Sequence, residues 1–148
     1  ESIGKKRMGT TPVNSLGTVD QHSQLQLFLD GPKDKFYTII GRKKIKRQTK
    51  LDCRYGNNNK LETLHEKSLE TLLRAEMEAT IETLKSKKLP VRFFEIDVLN
   101  EECVGFLMMY FFVETILCCH LVNVNPFDQP AVEGGKILTK KKLKNYEY

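Results

Sequence analysis

The residues of this chain whose types and spacing could do chemistry lie in three short stretches: Glu1-Ser2-Ile3-Gly4-Lys5, Asp20-Gln21-His22, and Phe127-Asp128-Gln129-Pro130-Ala131-Val132-Glu133-Gly134-Gly135-Lys136. The middle one is the most legible on local grounds. Gly17-Thr18-Val19 turns from loop into helix, Asp20 precedes the histidine, and Leu25, Phe28 and Leu29 form an apolar stripe behind it. An imidazole just inside such a helix start can be held rigidly while its ring faces a cleft, and histidine titrates near neutral pH. The same residues also fit an ordinary polar helix start with a silent histidine. The pattern is a placement and not yet a function.

Whatever positions these residues must be built from 148 residues with 40% apolar content, enough for one core, so a single domain or part of one is expected. The sequence does not begin with methionine, and Glu1-Ser2-Ile3-Gly4 has neither the charged start nor the long apolar core of a signal peptide. The expectation is the C-terminal part of something longer. Residues 1 to 19, rich in Gly, Thr, Ser and Pro, read as an ordered loop. A helix is expected from about Asp20 to Asp30, closed by Gly31-Pro32. Phe36 to Ile40 is a short β-rich run ended by Gly41 and suits an internal strand.

After a long surface connection ending in Gly56-Asn57-Asn58-Asn59, the pair Asn59 and Glu62 marks a capped helix start. Leu61, Leu64, Leu69, Leu72, Leu73, Met77, Ile81 and Leu84 then recur at three- and four-residue spacing, an apolar face over about seven turns that stops before Pro90. His65 and the glutamates of the other face read as solvent-facing. Val91 to Val98 is a second strand, Glu101-Glu102 open an apolar helix that Pro126 ends, and a last helix from about Gln129 carries a basic tail. Alternating helices and strands are the signature of an α/β layered domain with a largely parallel sheet, in which ligands lie at the carboxyl ends of strands. The loops at 1 to 22 and 125 to 136 are where the chemistry is to be sought.

Charge and cysteine content narrow the function classes. The net charge of +5 is clumped in Arg42, Lys43, Lys44, Lys46, Arg47 and Lys50, and in Lys140 to Lys142 with Lys144. Such runs could meet nucleic acid or another polyanion, which leaves a non-catalytic basic module binding RNA as the alternative of another class. No aromatic residues are interleaved with them, so a solvated loop and tail is the preferred reading. Cys53, Cys103, Cys118 and Cys119 lack metal-ligand spacing and read as reduced thiols of a cytoplasmic protein. Cys103 to Val124 is long enough to span a bilayer, but Glu114 at its middle would cost about 3 kcal/mol there. A buried helix of a soluble layered domain is expected instead.

The three stretches together resemble glucose-6-phosphate isomerase, the aldose-ketose isomerase family of glycolysis and gluconeogenesis. Phe127-Asp128-Gln129-Pro130-Ala131-Val132-Glu133-Gly134-Gly135-Lys136 is similar to that family's C-terminal signature: an aromatic, a short polar residue, Gln, any residue, Gly or Ala, Val, Glu, two further residues and Lys. Asp20 to Leu27 with Asp30-Gly31-Pro32 is similar to its bacterial branch, and Glu1 to Lys5 resembles the segment that begins at its catalytic glutamate. The three occur in the family's order, and Arg42 to Asn59 is the least diagnostic part. The resemblance implies a three-layer αβα sugar-isomerase (SIS) type domain with a mainly parallel sheet, incomplete at its N-terminus, residues 1–148 being the C-terminal part of the second such domain.

Carried over position by position, the resemblance makes Glu1 the base that moves a proton between C2 and C1 through a cis-enediol. His22 would assist ring opening, Lys136 would be its partner on the ring-oxygen side, and Gln129 would help bind the sugar phosphate. A carboxylate can take and return one proton when desolvation brings its pKa towards working pH, and ring opening needs one group to accept a proton and one to donate it. Neither a metal nor an organic cofactor is needed. The family's Ser/Thr-rich phosphate loop and its enediolate-stabilising arginine lie upstream of its catalytic glutamate, and neither segment occurs in this sequence. The 148-residue chain alone is therefore expected to be inactive. The family's homodimer, in which a histidine completes the partner's site, implies that His22 acts across subunits. A different SIS-type sugar-phosphate isomerase or a transaldolase-isomerase fusion is a second enzymatic alternative.

Overall fold

The computed structural model describes residues 9–43, 49–51 and 63–146. It divides into two compact units, Asn14–Cys103 and Glu1–Val13 with Val104–Tyr148. In chain order the elements are α1 (Val19–Ser23), α2 (Leu25–Asp30), β1 (Tyr37–Arg42), α3 (Leu69–Ser86), β2 (Val91–Ile96), α4 (Glu101–Leu121) and α5 (Pro130–Lys144). The architecture is mixed α/β with a small parallel sheet.

The first unit is built on a β–α–β arrangement. β1 and β2 pair in parallel, in a register that runs from Tyr37 opposite Val91 to Arg42 opposite Ile96. A parallel pair cannot be joined by a tight turn, and α3 lies in the crossover and packs against β2. Its approach to β1 is set by Gly41, inside the strand rather than ending it: a Cβ there would fall within the Met77 side chain and 3.2 Å from Phe93. Among the described residues of this unit, Ile81, Leu84, Leu89 and Ile96 are the buried apolar ones, with Leu84 only 2% exposed.

α3 is shorter than its apolar periodicity suggests, because its start is decided by pairing. Residues 49–51 lie against 66–68, with Leu51 N–H donating to the Lys67 carbonyl (2.9 Å), Glu66 N–H to Leu51 (3.1 Å) and Leu69 N–H to Thr49 (3.0 Å). Glu66 takes a left-handed φ of 58°, which no helix tolerates, and buried Ser68 then caps the helix by accepting from Thr71 N–H at 3.1 Å. The expected start at Asn59 and Glu62 lies outside the described residues. His65, expected to face solvent, is half-buried, with its Nδ1 enclosed. The other end closes on Lys88 in the left-handed region (φ 57°), with Lys88 N–H donating to Lys85 and Leu89 N–H to Leu84. Burial of Leu89 beside this turn seals it.

In the second unit α4 ends by the same device, Asn123 (φ 53°) taking the left-handed position while Val124 N–H reaches back to the Cys119 carbonyl at 2.8 Å. Asparagine accepts that conformation more readily than most residues. Cys119 and Val124 are buried, but α4 as a whole is not the buried helix expected from its composition. Phe106, Met109, Phe112 and Leu117 are each more than half exposed, and only 6% of its most apolar window is buried within this chain. Among the described residues it is the one helix long and apolar enough to cross a membrane.

Candidate functional site

His22 sits in α1, and the expected single helix from Asp20 to Asp30 is broken at Gln24 into α1 and α2. α1 opens on an unusual turn. Thr18, at a left-handed φ of 72°, makes no side-chain cap, and Asp20, in the first turn, reaches back instead. Its carboxylate accepts from Leu16 N–H at 2.5 Å while its own N–H donates to the Leu16 carbonyl at 3.0 Å. The Leu16 N–H, together with Ser23, Gln24 and Ser15, holds the Asp20 carboxyl below the usual carboxylate range. Charge at the helix's positive end acts in the same direction as these donors.

The α1–α2 pair is fastened to the β–α–β core at three points. Gln21 Nε2 donates to Thr80 Oγ1 on α3 at 2.8 Å, and Tyr37 Oη donates to the Phe28 carbonyl at 2.9 Å. The Phe28 and Tyr37 rings meet edge to face at 5.5 Å, and Lys87 pairs with Asp30 at 2.5 Å. Gly31 closes α2 because a Cβ there would collide with the Leu27 carbonyl. His22 itself is exposed and makes no hydrogen bond or ion pair with a described residue. The ring is thus carried on a short fastened helix and left open for a further group.

Gln129 and Lys136 belong to the second unit. Gln129 is the residue before α5, with an exposed side chain that makes no cap, and Pro130 at the first helical position suits a start where no N–H is needed. Lys136, seven residues on and so nearly on the same side of the helix, pairs with Glu133 one turn back at 2.6 Å. That pair is 62% and 59% exposed, so it orients the ammonium more than it stabilises the helix. Beyond their own helix backbone, no atom of the described residues lies within 4 Å of the Cβ position at Gly134 or Gly135. Glu1 lies outside the described residues. The structure thus places His22 in one unit and Gln129 with Lys136 in the other.

The carboxyl ends of β1 and β2 carry charged side chains. Lys43 pairs with Asp97 at 3.2 Å, and Arg74 binds Glu78 at 2.7 Å and the Lys43 carbonyl at 2.9 Å. The basic run beyond Lys43 falls largely outside the described residues, whereas Lys140, Lys141, Lys142 and Lys144 are exposed along α5. Cys103, Cys118 and Cys119 form no disulfide among the described residues, which hold no group of three metal-ligating side chains. Sequence reasoning missed the Gln21–Thr80 contact. Its one available signal was a polar residue, Thr80, set between Met77, Ile81 and Leu84 on the apolar face of α3.

No family model matches the chain. Among curated proteins it is 37% identical to the glucose-6-phosphate isomerase of Rubrobacter xylanophilus, over 94% of this chain and 32% of that protein. It is 39% identical to that of Campylobacter jejuni (95% and 35%) and 39% to that of Thermus thermophilus (97% and 36%). The chain spans about a third of the length of the curated relatives it matches. A crystal structure of a hypothetical protein from Thermus thermophilus superposes with a TM-score of 0.83 at 38% identity, over 93% of this chain and 33% of that one.

Proposed function

We propose, from the homology of this chain to a third of the glucose-6-phosphate isomerases, that it is the portion of such an isomerase carrying the ring-opening groups and the catalytic base. The reaction interconverts glucose 6-phosphate and fructose 6-phosphate, and the fold is part of a three-layer SIS-type domain, the second of its parent. The observation that carries this reading is 33–40% identity sustained over at least 92% of the chain across bacterial and archaeal relatives.

In ring opening the bond between the anomeric carbon and the ring oxygen breaks, the anomeric hydroxyl gives up its proton, and the ring oxygen gains one. His22, open to a ligand on a fastened helix, assists this step, and Lys136 serves the ring-oxygen side. Gln129, whose side chain is not spent on capping α5, binds the sugar phosphate. Glu1 then takes the C2 proton and returns it to C1 through the cis-enediol, so no redox partner, metal or cofactor enters the balance. His22 works on a site completed by the partner subunit of a homodimer, in the cytoplasm.

The chain by itself lacks activity, because a third of the isomerase does not make a whole substrate site. Substantial conversion of fructose 6-phosphate by the purified 148-residue chain would refute that part of the reading. Subunit sharing is tested by mixing His22→Ala with Lys136→Ala subunits of the full-length enzyme. Activity returns in the mixture if the site is shared, and its absence after verified heterodimer formation counts against sharing.

A further inference from the structure

Thr80 lies near the middle of α3, and its hydroxyl hydrogen is committed, since Oγ1 donates to the Glu76 carbonyl one turn back at 2.8 Å. Only acceptor capacity remains on that oxygen, and Gln21 Nε2 uses it at 2.8 Å across 59 residues of sequence. The contact has one polarity: the amide nitrogen of Gln21 must point at α3 and its carbonyl away. Gln21 is adjacent to His22, and consecutive side chains of a helix point about 100° apart. Fixing the azimuth of Gln21 on α3 therefore fixes the direction of the next ring. α1 has only five residues and no side-chain cap, too short to hold its orientation by its own hydrogen bonds. Asp20 ties down the incoming chain at Leu16, and the Gln21–Thr80 bond is the one side-chain hydrogen bond between α1 and α3 among the described residues.

We infer that Gln21 and Thr80 are positioning residues for His22, acting as a single directional clamp that aims the imidazole away from α3. The inference rests on the proposed ring-opening role of His22 only for its catalytic consequence; the clamp itself is a property of this unit. A bond of this kind between a part-buried hydroxyl and an amide selects geometry more than it adds stability.

The test compares Thr80→Val, Gln21→Glu and Thr80→Ser. Valine keeps the shape of threonine without the acceptor, glutamate keeps the length of glutamine but presents an acceptor to an acceptor, and serine retains the hydroxyl. In the full-length enzyme, the NMR signals of a selectively labelled His22 imidazole are expected to shift from their parent position in the first two variants, as the ring changes direction, and to stay there in Thr80→Ser. The methyl signals of Ile81 and Leu84 serve as the folding control. In the full-length enzyme the first two variants should lower kcat about tenfold with KM unchanged, and Thr80→Ser should retain it. Unchanged His22 signals in both Thr80→Val and Gln21→Glu would overturn the clamp. Moved signals with unchanged kcat would leave the clamp standing and overturn the role of His22.

Discussion

Asp20 turns the start of α1 into an acid-sensitive device. Its carboxyl is held low first by the Leu16 N–H, Asp30 is held low by its hydrogen bond and charge contact with Lys87, and Asp34 by its bond to Lys35. Each binds a proton less readily folded than unfolded, so each contributes stability that is present above the unfolded value near 3.8 and lost as pH falls through the lower folded value. Asp30 and Asp34 are exposed and Asp20 is half-buried at the surface, and the expected effect is accordingly modest. Thermal melts from pH 6 to 2.5 should show Asp20→Asn flattening the acid limb relative to the parent. An unchanged limb would mean that the Leu16 contact does not persist in solution. At this scale the sequence was readable for type but not for partner. Asp20 was legible as a helix-start carboxylate, yet it works from the first turn on the loop behind it, a choice made by the left-handed Thr18 that no residue pattern announces.

α3 owes its length and seating to residues that do not belong to its apolar stripe. Ser68→Ala removes the cap on Thr71 and should cost about 1 kcal/mol in denaturant unfolding. Gly41→Ala pushes aside the flexible end of Met77 and tightens against Phe93 and should cost about 1 kcal/mol or less, whereas Leu84→Ala at the least exposed described position should cost about 2–5 kcal/mol. Lys88→Gly relieves a left-handed non-glycine residue and should stabilise by several tenths of a kcal/mol, about the advantage of glycine at that cap. Strand and helix identities were legible from period and punctuation, and the parallel pairing followed from the crossover helix. The boundaries were not. Leu64 continues the stripe in sequence but precedes α3, because backbone pairing between 49–51 and 66–68 intervenes, and pairing between distant segments leaves no periodic trace.

For the whole molecule, the apolar surface of α4 is the dominant fact. A helix that reads as core in its composition stands with Phe106, Met109 and Phe112 exposed, in a chain that matches a third of its relatives. Composition announces that α4 is to be covered, but it cannot say whether the cover lies in the same 148 residues. The isolated chain is expected to self-associate in light scattering at micromolar concentration, and Phe112→Lys with Phe106→Lys should return it towards the monomer. The site was legible to a different degree. Its candidate residues were named from spaced motifs through a family resemblance, and local pattern does not encode the long-range geometry that would bring them together.

The most direct measurement is the rate of fructose 6-phosphate conversion by the full-length polypeptide containing this chain, compared with its His22→Ala and Lys136→Ala variants. Isomerisation by the parent and losses of at least about a hundredfold in each variant are expected, the scale of removing a positioned acid–base group. A parent without isomerase activity, or variants within about threefold of an active parent, would contradict the account.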